Sequence, residues 1–144
     1  MPAFRRGMTI VELLVMMVIL GVLAAIAVPR AVTAIDRLSV RGATQDVVLT
    51  LAAARAAASR GDAYVSFVAD THAGRVRVVS GGEVLVERDL ARARGITLQA
   101  SRESVTFGPG GLGWGAANTT VIVSRGARSD TVVMSRLGRV RTAW

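Results

Sequence analysis

The chain has 144 residues, 51% hydrophobic side chains, and a formal charge of +8 from 18 basic residues against 10 acidic ones. That length suits one small domain plus an extra element, and a mean hydropathy of +0.46 is too apolar for an ordinary soluble domain of this size, so a membrane segment is expected. With no cysteine and the single histidine His72, disulfides, thiolate chemistry and a multi-histidine metal site are excluded; the positive excess points to anionic lipid headgroups, nucleic acid or acidic proteins as partners.

Residues 1–7 read MPAFRRG, and residues 8–28 read MTIVELLVMMVILGVLAAIAV. As a helix the second stretch is about 31 Å long, close to the ~30 Å hydrocarbon core of a bilayer. Arg5 and Arg6 precede it, which puts the N-terminus in the cytoplasm and the rest of the chain outside the inner membrane. An ordinary signal peptide would have a shorter apolar region and a small-residue cleavage site on its far side, which Ala24, Ala25 and Ala27 could imitate. A plain signal anchor fits the length and the charges. Neither explains Glu12. A carboxylate at the centre of a lone membrane helix costs about 2.5–3.5 kcal/mol; Glu12 lies one turn in, which lowers that cost without removing it. An acid there calls for a cationic partner, or for water near the headgroups.

In these residues the chain resembles the type IV pilin superfamily. The prepilin signal is a short basic leader ending in Gly, cleavage before a hydrophobic residue, and Glu at the fifth mature position; Gly7, Met8 and Glu12 match, with Met8 where Phe is usual. The resemblance implies that a prepilin peptidase cuts after Gly7 and methylates the new amine of Met8. It also matches Gly21 and Pro29 to positions where this helix loosens in filaments. The Glu12 carboxylate of one subunit would then pair with the Met8 amine of a neighbour, neutralising two buried charges and fixing axial register.

Pro29 removes one N–H and is expected to kink the helix rather than end it. Over residues 30–60, Val32, Ile35, Leu38, Val47, Val48, Leu51, Ala54 and Ala58 recur at three- and four-residue steps, with a gap around Gly42. Asp36, Arg37, Arg41, Asp46 and Arg55 take the other side, so the spacing predicts an amphipathic helix with one face for a core. Gly61 is the expected stop. The predicted divisions are a leader (1–7), a membrane or filament-core helix (8–29), an amphipathic half (30–61) and a β head (62–144).

Beyond Gly61, alternating and β-branched runs predict short strands at Ala63–Val68, Gly74–Val79, Val84–Arg88, Ile96–Ala100 and Ser104–Phe107. Turns are expected at Asp70–Gly74, Ser80–Gly82 and Arg94–Gly95. Five glycines and a proline in residues 108–118 predict a loop, followed by strands at Thr119–Ser124, Thr131–Ser135 and Val140–Ala143. A long helix on an antiparallel head is α+β. The segments LAAARAAASRGDAYVSF (51–67), SVTFGPGGLGWG (104–115) and SRLGRVRT (135–142) make the head resemble the GspH/FimT group of pseudopilins and minor pilins.

No pattern of catalytic, cofactor-binding or metal-ligating residues emerges. His72 falls in a polar turn, and the glycine loop lacks the Lys-Ser/Thr ending of a phosphate-binding loop. Trp114 in that loop either lids the sheet or touches a partner. Residues 120–144 hold Arg125, Arg128, Arg136, Arg139 and Arg141 against Asp130 alone. Guanidinium forks suit phosphates, and Trp144 could stack on a base. In the FimT-like branch a C-terminal Gly-Arg-x-Arg is associated with DNA binding during DNA uptake, and Gly138, Arg139, Val140 and Arg141 match it. The alternative is a solvated basic face, or lateral ion pairs to acidic neighbours.

The expectation is therefore a non-enzymatic structural subunit of the bacterial inner membrane, single-pass, with a periplasmic head. Its partners would be prepilin peptidase, membrane lipid and other pilins or pseudopilins. It would be assembled into a type II secretion pseudopilus touching secreted proteins, or act as a FimT-like minor pilin holding DNA.

Overall fold

The computed structural model describes residues 8–143, so the leader with Gly7 and the terminal Trp144 lie outside the described residues. Two compact units divide between Ile35 and Asp36, and a single helix, α1 (Ile10–Arg60), contributes to both.

The first unit is the start of α1. The Thr9 hydroxyl accepts from the Glu12 N–H at 3.2 Å, and the Thr9 carbonyl accepts from the Leu13 N–H at 3.1 Å. This is the N-cap half of a Thr-x-x-Glu capping box, with Glu12 in the first turn where the helix dipole favours an acid. The helix therefore starts two residues after the expected Met8. Pro29 stays inside it, and the Thr33 hydroxyl donates to the Pro29 carbonyl at 2.9 Å. Every large apolar side chain from Ile10 to Val28 is between 48% and 79% exposed. An 18-residue stretch reaches a mean hydropathy of 2.8, so this helix is long and apolar enough to cross a membrane.

The second unit combines the rest of α1 with nine strands. Val40, Ala43, Val47, Leu51, Ala54 and Ala58, at three- and four-residue steps, are each at most 2% exposed. This corrects the expected stripe. Val47, Leu51, Ala54 and Ala58 are buried as predicted, but Val32, Ile35 and Leu38 are 53%, 54% and 68% exposed. Stepping back from Val47 by four, three and four residues leads to Asp36, so the continuation of the buried stripe is polar and the three apolar residues lie on another arc.

Strands β1 (Val65–Asp70), β2 (Arg75–Ser80) and β3 (Glu83–Asp89) form a meander. A short helix, α2 (Leu90–Arg94), leads to β4 (Thr97–Ala100), β5 (Ser104–Phe107) and the two-residue β6 (Gly113–Trp114). The closing strands are β7 (Thr119–Arg125), β8 (Arg128–Met134) and β9 (Val140–Ala143). One sheet runs β3-β2-β1-β5-β6 and the other β4-β7-β8-β9, all antiparallel. Alternate residues such as Val65, Phe67 and Ala69 of β1, and Val121 and Val123 of β7, face one core with the α1 stripe.

Strand β1 runs Val65–Asp70 rather than Ala63–Val68, taking in the Asp70 expected in the turn, and three further expectations shift. Residues 108–118 are not entirely loop, because Gly113 and Trp114 pair with Phe107 and Thr106. Strand β8 starts at Arg128 rather than Thr131, since a two-residue turn joins it to β7. Helix α2 was not expected at all. Asp89 caps it by accepting from the Arg92 N–H at 2.9 Å, and the Gly95 N–H closes it on the Ala91 carbonyl. That backbone bond, joined by the Arg75 and Arg92 charges, holds the Asp89 carboxyl below its ordinary range.

The corrected stripe separates two leucines of α1. Leu51→Ala, at 1% exposure, should lower the unfolding free energy by about 2–5 kcal/mol. Leu38→Ala should stay within about 0.5 kcal/mol. Denaturant unfolding of the detergent-solubilised chain measures both, and equal costs would mean that the stripe is misplaced.

Candidate functional site

The arginines singled out in the C-terminal segment are built by the β7–β8–β9 meander, and its geometry splits them. The β7–β8 turn consists of Gly126 and Ala127, with Arg125 paired to Arg128 across the ladder. Gly126 has φ +57, and a Cβ there would meet the Asp36 carboxylate, so the turn sits directly on α1. Arg125 is committed at this contact. Its Nε lies 2.8 Å from Asp36 Oδ1, and its Nη1 donates to Ser39 Oγ at 3.0 Å and to the Arg94 carbonyl. Arg125 thus docks the hairpin, its guanidinium engaged with Asp36, Ser39 and the Arg94 carbonyl.

A parallel contact holds α2. Arg94 Nη2 lies 3.1 Å from Asp46 Oδ2, and Arg88 Nη1 lies 3.5 Å from Asp46 Oδ1. The Arg94 guanidinium passes over Gly42, where any side chain would collide with it. The gap in the apolar spacing around Gly42 is the seat of this arginine. Asp36 and Asp46, read from the sequence as a solvated side, each have only 17% of the side chain exposed.

Arg139 and Arg141 come together. Arg141 sits opposite Val133 across the β8–β9 ladder, and both arginines line an open depression of about 380 Å³ with Val133, Ser135 and Leu137. The turn beneath is tied down: Ser135 Oγ accepts from the Arg139 N–H at 3.2 Å, and Arg55 Nη1 of α1 donates to the Gly138 carbonyl at 3.4 Å. Arg136 borders the adjoining depression, which shares Val133 and Ser135. Arg128 stands at the far end of β8, about 20 Å of strand from Met134. It lines a different cavity with Arg37, Val40, Arg41, Ser129 and Asp130.

At the N-terminus, Met8 and Glu12 are both exposed, and Gly7 lies outside the described residues. Trp114 is 62% exposed yet packs edge-on against Tyr64, with ring centroids 5.1 Å apart at 67°; it covers one aromatic and leaves a face open. His72 is exposed in the β1–β2 turn. Among the described residues no group of three or more His, Cys, Asp or Glu side chains is placed to hold a metal ion.

No family model matches the sequence, and no curated protein matches it. Two solved structures are similar in fold, both of the type IV minor pilin FimU of Pseudomonas aeruginosa. In one crystal form the TM-score is 0.62 at 19% identity, over 74% of this chain and 90% of that one. In the other it is 0.58 at 16% identity, over 72% and 91%. At this identity the likeness concerns architecture: a long N-terminal apolar helix packed on antiparallel sheets, which is the type IV pilin-like α+β fold.

Proposed function

We propose that this chain is a structural, non-enzymatic pilin-like subunit, anchored in the inner membrane by residues 8–28 and built into a filament with other pilins. The observation that carries the reading is the bare apolar start of α1, whose 18-residue membrane-length stretch is 0% buried. A helix start apolar on every side but for Glu12 needs lipid or other helices around it. The likeness in fold to a type IV minor pilin supports a pilin-like subunit, as a minor pilin or as a type II secretion pseudopilin. The prepilin peptidase would free the Met8 amine one turn ahead of Glu12. That amine would become the cation that Glu12 of a neighbouring subunit needs.

A second reading, DNA binding, is favoured by the shared depression of Arg139 and Arg141. Exposed guanidinium groups there suit phosphates without base readout. Arg125 drops out of this reading because its charge is spent on Asp36. Arg136 adjoins the depression, and Arg128 belongs elsewhere.

Mass spectrometry of the mature protein tests the first reading. It should find Met8 N-terminal and methylated, and Gly7→Val should leave the precursor uncut. A mature chain starting near Val28 or Pro29 would reveal ordinary signal-peptidase processing and remove the pilin reading. Glu12→Leu should be inserted and processed normally but enter filaments poorly; incorporation equal to the parent would refute the pairing.

For the DNA reading, duplex binding by the detergent-solubilised chain should weaken steeply with salt. Arg139→Gln with Arg141→Gln should flatten the log–log salt slope by up to about 1.8, the release expected for two phosphates. An equal change from Arg60→Gln with Arg102→Gln, both exposed, would indicate diffuse attraction without a site.

A further inference from the structure

The cavity between α1 and the β7–β8 hairpin is unused by either reading. Arg37, Arg41 and Arg128 line it with Val40, Ser129 and Asp130, around about 170 Å³. Three arginines and one aspartate thus line it. Arg37 and Arg41 are four residues apart, so they share one face of α1. Arg128 is the first residue of β8 and comes from across the cavity.

This juxtaposition is built by contacts on both sides of it. The Asp36–Arg125 pair pins the hairpin turn next to Arg37. The Thr44 hydroxyl donates to Asp130 Oδ2 at 3.3 Å, fixing β8 to α1 one turn beyond Arg41. The helix and hairpin backbones that carry these arginines are therefore fixed against each other. No ion pair or hydrogen bond holds Arg37 or Arg128 among the described residues, although both stand beside a third guanidinium. Crowding like charges is unfavourable unless an anion offsets it. An arginine fork bonds two oxygens of one group, so a tetrahedral oxyanion can engage several forks at once where a carboxylate offers only two oxygens. The hydroxyl of Ser129 supplies a further donor at the rim.

We propose that the Arg37–Arg41–Arg128 cavity is a phosphate-group site, filled by an anionic phospholipid headgroup or by free phosphate. The lipid source rests on the membrane-anchored reading above; the site itself does not. Before assembly such a site would hold the head to the lipid in which α1 is anchored, and leaving the membrane would require releasing that headgroup.

The test uses the full chain in a non-ionic detergent, with inorganic phosphate titrated first. Saturable binding is expected, and Arg37→Gln with Arg128→Gln should weaken it about tenfold or more. Arg136→Gln with Arg139→Gln should leave it unchanged. Equal melting midpoints for the two double variants would show that the loss is not unfolding. Short-chain phosphatidylglycerol added to the micelles should then displace phosphate while phosphatidylcholine does not, which identifies the lipid headgroup. Displacement by neither lipid would keep the site and assign it free phosphate. The proposal is overturned by non-saturable phosphate binding, by equal loss in the second variant, or by equal displacement with acetate. Resistance of the chain to carbonate extraction from membranes, measured separately, tests the anchoring reading alone.

Discussion

One constraint governs this molecule: a single helix must satisfy two surroundings. Between Ile10 and Val28 it is apolar on every side apart from Glu12, and nothing among the described residues covers it. From Val40 to Ala58 it is apolar along one narrow stripe, and that stripe carries the core. The stripe is rich in alanine; Ala43, Ala54 and Ala58 are all fully buried. These small residues share one core with the bulkier Val47 and Leu51 of the helix and Phe67 and Phe107 of the strands. Two antiparallel sheets can then share one helix as their common wall.

The charged residues of the same helix secure the arrangement. Asp36 takes Arg125, Asp46 takes Arg94 and Arg88, Thr44 takes Asp130, and Arg55 reaches the Gly138 carbonyl. These contacts link α1 to α2, to the β8–β9 turn, and to residues at or near the ends of β3, β7 and β8. Partly exposed ion pairs contribute little energy singly. Their effect here is positional: they fix which turn lies against which step of the helix.

Much of the architecture was legible in the sequence. The long helix follows from its apolar run and its three- and four-residue spacing, and strands β5 and β9 appear at the predicted residues because alternation and flanking turn residues agree there. Sheet membership was not legible. Strands β4 and β5 are neighbours in the chain yet belong to different sheets. The switch at residues 101–103 is set by partners far away in sequence: Thr119 donates to the Arg102 carbonyl, and the Ala69 N–H to the Glu103 carbonyl. Helix α2 was hidden because five residues give no periodicity, although Asp89 and Gly95 bracket it as caps. Thr9 and Glu12 carried a capping signal that marks the true helix start.

The candidate site was less legible still, because a basic composition does not say which cations are spent. In the head, Asp36, Asp46, Asp70, Glu87 and Asp89 are all paired with arginines. Those pairs draw on Arg75, Arg77, Arg88 and Arg94 from the first part of the head, and on Arg125 alone from the C-terminal segment. Among the described residues, the arginines around the β8–β9 turn and Arg37 and Arg128 beside the α1 cavity take no part in these pairs. These two places differ in kind. The turn offers arginines beside the exposed Leu137 on an open surface, suited to a large, sliding polyanion. The α1 cavity is smaller, bounded by helix and hairpin and braced by Asp36 and Asp130, suited to one compact oxyanion. A run of five arginines in sequence thus resolves into a docking residue, Arg125, and two separate basic surfaces that differ in size and enclosure.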